Sequence, residues 1–302
     1  MVGRGVGYGK IIFFGEHFVV HGAPAIAAGI SNAAVVEVKR SEKNTIISDH
    51  KIVPEYSLKA IANVLSVMGM KGCYDVSLKG DLHTFGGLGS SAAFCVALAR
   101  AVADDQGKNP TDAEINSIAY EGEKVFHGNP SGIDNLMATY GGVMEFKRGK
   151  NVSENRFERI VIKKPLDLVI SFTGKFGFTT KMIENVRRYK EQDEAEFAQM
   201  MDEYGDVELN GRKALEKGKI EDIGKLMNAN QSMLQELGVS DELNDQIVKL
   251  AMENGALGSK LTGGGGGGCC ISLVKDKEHA EELSRVLEKS NFQSFGTRVG
   301  KY

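Results

Sequence analysis

The chain contains no tryptophan, only five prolines and four cysteines, and no long run of apolar residues. The longest uninterrupted apolar stretch is Ala92–Ala99, which is less than half of the ~18 residues that a membrane-spanning helix requires. The N-terminal stretch Met1–Gly5 does not open an apolar core of the kind that a secretory signal contains. We therefore expect neither a membrane partner nor a secretory leader.

Cysteine usage and charge argue against two further classes of protein. None of the four cysteines stands in a C-x-x-C pair, and the adjacent Cys269 and Cys270 are poor partners for a disulfide. This usage is typical of a reduced compartment and predicts a cytoplasmic protein. The 37 lysines and arginines are scattered among 40 acidic residues, for a net charge of −3. Without a basic stripe, no nucleic-acid partner is expected.

The order of strand and helix patterns predicts the fold class. A length of 302 residues favours two domains and allows one large domain. Strands and helices are mixed without strict β-α-β alternation, which favours an α+β fold over a doubly wound sheet. A boundary near Lys164 gives domains 1–164 and 165–302. The patterns include strands at Lys10–Val20, Ala33–Val38 and Phe292–Val299, and helices at Ser57–Met68, Ser90–Asp105 and Lys277–Lys289.

Glycine is the residue type in excess, with 37 of 302 positions against a usual share of ~7%. The first cluster, Gly86–Ala93, ends where an apolar helix pattern begins. Glycine lets a backbone approach a ligand closely, and the free amides at a helix N-terminus favour an anion. The cluster therefore predicts a phosphate site, with serine hydroxyls available to phosphate or Mg²⁺. The alternative is an ordinary turn with Ser90 as the helix N-cap.

Two common nucleotide-binding motifs do not explain this cluster. A Walker A motif requires G-x-x-x-x-G-K-[ST], and around Lys10 two of the required positions hold Arg4 and Ile11 instead. The string Gly87–Ala92 does match the dinucleotide fingerprint G-x-G-x-x-A. That fingerprint belongs to the first strand of a βαβ unit, whereas about a third of this chain precedes it.

Two further clusters carry candidate chemistry. Six consecutive glycines, Gly263–Gly268, lie between two apolar strand patterns. A flexible linker is the alternative, but a linker has polar flanks, and ordering so much glycine is costly unless the loop wraps something closely. The third cluster is Gly15–His17, directly after the strand pattern Ile11–Phe14. A carboxylate and an imidazole at a strand end are either functional or simply solvated.

Taken in order along the chain, these clusters resemble the motifs of the GHMP kinases, the family of galactokinase, homoserine kinase, mevalonate kinase and phosphomevalonate kinase. One such glycine loop is weak evidence, whereas the whole set in order is strong. The matching segments are Gly9–Ile11, Gly15–His17, Gly87–Ala93, Gly128–Asn135 and Lys260–Cys269.

Within the family, the strings Gly15–Gly22 and His127–Asn135 are most similar to the mevalonate kinases, and the short length is similar to archaeal members. The chain departs from the family pattern at His83 and Phe85, where the phosphate loop commonly has Pro and Gly. These departures bear on the entry to the loop. A milder departure is Gly264, which stands where Ala is common.

The resemblance implies a fold, an activity and partners. The implied fold has an N-terminal domain like domain 2 of ribosomal protein S5 and a ferredoxin-like α+β C-terminal domain. The implied activity is transfer of the γ-phosphoryl group of ATP to the 5-hydroxyl of mevalonate, with Mg²⁺ as the cofactor. ATP and mevalonate are thus the expected partners, and a homodimer is the expected assembly.

The resemblance also assigns the catalytic and metal roles. Asp134 matches the catalytic base, and Lys10 matches a lysine beside the same hydroxyl, where an ammonium stabilises developing charge. If the proton of the attacking hydroxyl leaves late in phosphoryl transfer, Lys10 contributes more to catalysis than Asp134 does. Glu123 and the Ser91 hydroxyl match the Mg²⁺ ligands, and the Ser90 hydroxyl is the alternative to that of Ser91. Without the resemblance, Asp134 fits a capping box with Ser131, and Glu123, on the rim of an apolar helix stripe, fits a solvated face.

The remaining site residues follow from the same resemblance. Glu16 and His17 match positions that bind mevalonate, and Thr180 and Gly264 are further substrate candidates. The alternatives are a surface histidine and, for Thr180, a helix cap. Cys269 and Cys270 are expected to be buried small apolar residues rather than nucleophiles. The ATP-binding loop comprises Gly86, Gly87, Leu88, Gly89, Ser90, Ser91 and Ala92.

Three other functions stay open from the sequence. The first is another GHMP kinase, such as a phosphomevalonate or homoserine kinase. A phosphorylated substrate calls for an extra cationic cluster, for which Arg187 and Arg188 are candidates, although they also fit a solvated helix face. A nucleotide sensor on a kinase scaffold is signalled by loss of Asp134 or Lys10, and both residues are present. A dehydrogenase built on Gly87–Ala92 is the third alternative.

Overall fold

A computed structural model describes residues 2–49, 56–84, 86–128, 130–151, 154–177 and 179–300. Helices and strands are mixed along the chain, so the predicted α+β class is confirmed. The strands are β1 (Gly3–Phe14), β2 (Ala25–Ser41), β3 (Thr45–Ser48), β4 (Cys73–Gly80), β5 (Val143–Lys147), β6 (Arg156–Ile160), β7 (Leu166–Phe172), β8 (Gly258–Thr262), β9 (Cys269–Val274) and β10 (Gln293–Val299). The helices are α1 (Tyr56–Val67), α2 (Ser90–Asp105), α3 (Asp112–His127), α4 (Ile133–Tyr140), α5 (Thr179–Gln192), α6 (Glu194–Lys217), α7 (Ile220–Glu236), α8 (Glu242–Glu253) and α9 (Lys277–Lys289).

The chain divides into two compact units, each built from several segments. The first unit comprises Met1–Lys10, Gly29–Thr84 and Gly89–Gly141, and the second comprises Ile11–Ala28, Phe85–Leu88 and Gly142–Tyr302. Strands β1 and β2 therefore each contribute residues to both units. The boundary near Lys164 that the sequence suggested stays a prediction.

In the first unit, β4 pairs antiparallel with β2 and parallel with β3. Helices α1, α2, α3 and α4 pack against one another beside these strands. Helix α2 is buried on nearly every side, from Ala92 to Ala103, as its uniformly apolar sequence predicts. A capping box opens α3, since Thr111 and Glu114 exchange hydrogen bonds between side chain and backbone.

Alternate glycines in β1 let α2 lie directly on this strand. A Cβ atom at Gly3, Gly5 or Gly7 would collide with backbone atoms of α2, because all three residues face the helix with a period of two. The strand then continues to Lys10, and the helix begins at Ser90. The glycines therefore set how closely the start of the predicted phosphate site approaches Lys10.

The second unit contains a four-stranded antiparallel sheet in the order β10-β7-β9-β8. Strands β8 and β9 are buried along their whole length, and helices α7, α8 and α9 contact this sheet. In the same unit, β5 pairs with the start of β2 and with β6. The hairpin of β8 and β9 carries the six-glycine run in its connection.

Two details differ from the sequence-based expectations. The strand predicted over Lys10–Val20 ends at Phe14, and a short 3₁₀-helix follows at Phe18–His21. Gly15, with φ +116°, breaks the strand because this left-handed conformation does not continue a ladder. The predicted strand Ala33–Val38 is part of a longer strand, β2, which begins at Ala25 and ends at Ser41. Among the described residues, none of the helices is long and apolar enough to span a membrane.

Candidate active site

Lys10 and Asp134 form an ion pair inside the first unit. The Nζ atom of Lys10 lies 3.0 Å from Oδ1 of Asp134. Lys10 is buried, and Asp134 lies in the first turn of α4 with its side chain partly open to solvent. The N-cap of α4 is Gly132, which provides no side-chain cap. Asp134 therefore does not act as the capping residue that the Ser131 spacing suggested; it faces the lysine.

Gly89 packs against the aliphatic stem of the same lysine. A Cβ atom on Gly89 would lie 2.9 Å from Cγ of Lys10. Gly89 is also the N-cap of α2, with φ +65° in the left-handed region, so glycine is required here for two independent reasons. The first turn of α2 carries no acidic residue. Its free amides, at Ser90 and Ser91, therefore suit an anion near the ammonium of Lys10.

Glu123 is a fully buried carboxylate on α3, also in the first unit. Neither of its oxygens has a hydrogen bond of good geometry from the described residues. Burial, followed by the nearby charge of Asp134, raises the pKa of Glu123 to about 8, while the Ser91 hydroxyl and the Lys10 ammonium act in the opposite direction. The predicted alternative of a solvated glutamate is therefore wrong.

Ser91 and His127 lie next to this carboxylate. The Ser91 hydroxyl is 3.4 Å from Nε2 of His127, and the same nitrogen lies 3.8 Å from Oε2 of Glu123. A buried carboxylate that lacks a well-formed hydrogen bond is stabilised by a cation or a proton, and a carboxylate with a hydroxyl is an oxygen donor set that suits Mg²⁺. The described residues contain no group of three or more histidine, cysteine, aspartate or glutamate side chains arranged for a metal. A partial set agrees with an ion that keeps waters and substrate phosphates as its other ligands.

The second unit holds a buried ion pair of its own. Nζ of Lys260, in the middle of β8, donates to Oε1 of Glu16 at 2.5 Å, and both side chains are fully buried. Lys260 also donates to the carbonyl oxygen of Leu261 at 2.7 Å. Burial lowers the pKa of Lys260, and the charge of Glu16 opposes that change. The carboxylate of Glu16 is thus engaged by protein and shielded from solvent.

His17, the next residue, is bonded to the glycine run. Its Nε2 lies 3.0 Å from the carbonyl oxygen of Gly264. Because a carbonyl oxygen only accepts, Nε2 carries the hydrogen. Burial lowers the pKa of His17 to about 4, and the bond to Gly264 opposes the shift. The ring is therefore neutral near pH 7, and Nδ1 is left as an acceptor for a hydroxyl hydrogen.

The glycine run between β8 and β9 is held by polar contacts on both sides. Thr262, just before it, accepts from the amide of Ile12 at 2.8 Å. Asn244 bonds both the amide and the carbonyl of Gly267, at 3.0 and 3.1 Å. Five of the six glycines have positive φ, and Gly264 does not. The run is therefore a shaped loop within the fold, and the flexible-linker alternative is wrong.

The structure locates the other predicted residues as follows. Gly86, Gly87 and Leu88 are described within the second unit, with Gly87 at φ +97°. Thr180 lies exposed in the first turn of α5, and no hydrogen bond among the described residues joins it to the other substrate candidates. The four cysteines are free, and burial raises the pKa of Cys270 to about 12, as expected of an inert thiol. Phe85, Asn129 and Phe178 lie outside the described residues.

Sequence reasoning missed two residues at these sites, Lys260 and His127. A signal was available for Lys260, because a lysine in the middle of an apolar strand must have an opposite charge nearby. His127 lies in one of the family motifs, but its contact with Ser91 joins α3 to α2. Only the tertiary structure shows this contact.

Comparison with known proteins identifies the family. The GHMP kinases N terminal domain model matches residues 55–142, and the GHMP kinases C terminal model matches residues 212–293. The mevalonate kinase of Aeropyrum pernix is 32% identical, covering 97% of this chain and 94% of that protein. The mevalonate kinase of Thermococcus gammatolerans is 33% identical, covering 89% of this chain and 88% of that protein.

A solved structure gives the same result. The crystal structure of L. major mevalonate kinase in complex with R-mevalonate matches with a TM-score of 0.91 and 33% identity, covering 98% of this chain and 95% of that chain. The chain belongs to the GHMP kinase family. These three relatives are mevalonate kinases.

Proposed function

We propose that this chain is a kinase that transfers the γ-phosphoryl group of ATP to the 5-hydroxyl of mevalonate, giving 5-phosphomevalonate. The observation that carries the proposal is the ion pair of Lys10 and Asp134 beside the N-terminus of α2. It supplies a proton acceptor, a cation and free backbone amides together, which are the parts that phosphoryl transfer needs. Full-length similarity to mevalonate kinases supports the choice of substrate.

In this proposal Asp134 accepts the proton of the attacking hydroxyl, and Lys10 stabilises the negative charge that develops on that oxygen and on the transferring group. Lys10 is buried, so water screens its charge little. The pairing also fixes the direction of the carboxylate toward the ammonium. Whether the proton leaves before or with bond formation does not change which residue receives it.

The ATP phosphates occupy the loop of Gly86, Gly87, Leu88, Gly89, Ser90, Ser91 and Ala92 in this proposal. Its support is the left-handed backbone at Gly87 and Gly89, which brings amides forward, and the uncapped start of α2. Glu123 and Ser91 are the proposed Mg²⁺ ligands. Bound there, the ion would neutralise charge on the phosphates. The contact between Ser91 and His127 beside Glu123 favours Ser91 over Ser90 as the ligand.

The substrate side of the proposal rests on His17, with Nδ1 accepting a hydroxyl hydrogen of mevalonate. Gly264 supports His17 through the Nε2 bond, and its backbone is the second proposed contact. The substrate-binding roles expected of Glu16 and Thr180 stay predictions. Glu16 is buried against Lys260, and Thr180 is open to solvent.

A kinase for a phosphorylated substrate is less well supported. Arg187 and Arg188, the cationic candidates, are exposed on α5 and face acidic neighbours on the same helix, Glu184 and Glu191, at 3.7 to 4.0 Å. Such local pairs fit a solvated helix face. Arg187 and Arg188 therefore do not form a dedicated cationic cluster of the kind that a substrate phosphate requires.

The test of the proposed function is release of ADP by the purified chain with Mg-ATP and, separately, mevalonate, phosphomevalonate, homoserine and galactose. Turnover with mevalonate alone, abolished in Asp134→Asn, supports the proposal. Turnover with another acceptor retains the kinase mechanism and overturns the substrate. ATP binding without any turnover moves the chain to the nucleotide-sensor class.

We also propose that the chain forms a homodimer, that it is cytoplasmic, and that it divides into domains 1–164 and 165–302. Light scattering coupled to gel filtration measures the first, since a dimer has twice the 32.7 kDa mass of the chain. Limited proteolysis measures the domain boundary, because cleavage concentrates in exposed connections.

A further inference from the structure

The ion pair of Lys260 and Glu16 is buried, which is unusual for two charged side chains. Both side chains are fully excluded from solvent. Removing two charges from water is so costly that a well-packed apolar pair is often equally or more stable. Stability alone therefore does not explain why β8, buried at every residue, carries a lysine at its centre. The ion pair therefore has a second consequence, which is that it holds neighbouring residues in place.

The residue next to Glu16 is held in a strained conformation. His17 has φ +66°, and Asn291 is the one other described non-glycine residue with positive φ. Such backbone is strained and persists only where the surrounding structure holds it in place. The amide of Phe18 donates to the carbonyl of Glu16 at 2.8 Å, which fixes one side of the turn. The ion pair fixes the side chain of Glu16 on the other.

The same lysine also fixes the acceptor of the His17 ring. Lys260 lies on β8, four positions before Gly264, and its second donation to Leu261 ties the ammonium to the end of that strand. Gly264 then accepts from Nε2 of His17. One ammonium is thus linked to both partners of the imidazole bond, through Glu16 to the ring and through β8 to the carbonyl. All of these residues belong to the second unit.

We propose that Lys260 is a positioning residue, which through Glu16 holds the imidazole of His17 so that Nδ1 accepts from the alcohol of the substrate, without touching the substrate itself. This inference rests on the proposed function, because it assigns the contact that His17 makes to the acceptor alcohol. It also gives Glu16 a role that its burial permits: it anchors the loop instead of binding substrate directly.

The test uses Lys260→Met, which retains most of the length of the side chain and removes the ammonium. We expect the KM for mevalonate to rise about tenfold or more, while kcat and the KM for ATP change by less than about threefold, because substrate binding is lost rather than transition-state stabilisation. In the native chain the His17 ring is held in the tautomer with hydrogen on Nε2. We expect ¹⁵N NMR of the histidine rings to show a mixture of the two neutral tautomers in Lys260→Met.

Two further variants separate positioning from general stability. In Glu16→Leu with Lys260→Met, no unpaired charge remains, so we expect the melting temperature to recover while the KM for mevalonate stays high. Leu283→Ala removes a buried side chain of α9 and serves as the matched control, with a lower melting temperature and an unchanged KM. Recovery of KM with stability in the double variant, or an equal rise of KM in Leu283→Ala, overturns the proposal.

Failure of the proposed function is recognisable separately. If the native chain does not phosphorylate mevalonate, the assigned function is wrong whatever the variants do. The NMR comparison then still decides the structural part of the inference, since an unaltered His17 tautomer in Lys260→Met shows that the lysine does not position the ring.

Discussion

The ammonium of Lys10 lies 3.0 Å from Oδ1 of Asp134, within a single compact unit of the chain. The two residues are more than a hundred positions apart in sequence, and they meet because β1 and α4 both adjoin α2. Arg100 of α2 joins these elements, donating to the carbonyls of Val6 and Thr139 at 2.8 and 2.9 Å. The proposed proton acceptor is therefore held by the fold and not by a local turn.

The first prediction concerns that acceptor. Asp134→Asn keeps the shape of the side chain but accepts no proton, so kcat should fall by roughly 10² to 10⁴-fold. ATP binding, measured by calorimetry, should change little. The control is Asp202→Asn on the exposed face of α6, which should retain full turnover. Wild-type kcat in Asp134→Asn would show that Lys10 acts alone.

The second prediction concerns Glu123 as a metal ligand. Glu123→Gln removes the buried charge, so the apparent affinity for Mg²⁺ in the presence of a non-hydrolysable ATP analogue should fall about 10 to 100-fold. Titration calorimetry measures this without turnover. Glu121→Gln, two positions away and paired with Lys124 at the surface, is the matched control and should bind the ion normally. Equal affinities in the two variants contradict the assignment.

The third prediction concerns the protonation of His17. With its pKa lowered to about 4, the folded chain binds this proton less tightly than the unfolded chain, whose histidine titrates near 6.5. Protonation therefore destabilises the fold as the pH falls from about 6.5 to about 4. The ¹⁵N spectrum should show a neutral ring with hydrogen on Nε2 between pH 5 and 8. A His17 signal that titrates near pH 6.5 contradicts both the burial and the Gly264 bond.

The fourth prediction concerns Glu208 on α6. Burial first, and then the nearby carboxylate of Glu145, raise its pKa to about 7, against the opposing charge of Arg212. The pKa of Glu208 is higher in the folded chain than in the unfolded chain. The favourable contribution of this carboxyl group to folding stability is therefore complete below about pH 4.5 and is lost as the pH rises through 7.

The corresponding variant is Glu208→Gln, which does not titrate. Its free energy of unfolding relative to the native chain should increase by about 1–3 kcal/mol between pH 5 and pH 8. Urea denaturation at several pH values measures this difference. Glu203→Gln, exposed on the same helix, should show no such trend, and a flat difference for Glu208→Gln would mean that the carboxyl is ionised throughout.

The fifth prediction separates two neighbouring glycines. Gly265 has φ +71°, and a Cβ atom there would collide with the carbonyl oxygen of Val239. Gly264 lies outside the left-handed region. Gly265→Ala should therefore cost more than about 1 kcal/mol of stability and reduce turnover, whereas Gly264→Ala should behave like the native chain. Thermal unfolding and ADP release measure both effects, and reversed outcomes would show that the loop is held differently.

The elements that were predicted well are those with a local cause. Helix α2 was predicted with both of its ends correct, since its apolar sequence begins at a glycine-serine N-terminus and ends before Gly107. The capping box of Thr111 was equally local. The strand after Lys10 was predicted to continue too far, because apolar residues continue past Phe14 whereas the left-handed backbone of Gly15, which packs against Ala25, ends the strand.

The candidate site also combines features that follow from the sequence with features that depend on the tertiary structure. The sequence by itself determined the glycine-rich motifs and their order along the chain, and the roles of Lys10, Asp134 and Ser91 were predicted from the resemblance that these motifs carry. Only the tertiary structure decided that Glu123 is buried with neither oxygen in a well-formed hydrogen bond and that Glu16 is engaged by Lys260. Burial and charge pairing arise from the packing of different helices and strands, and no local pattern encodes the free energy of removing a particular carboxylate from water.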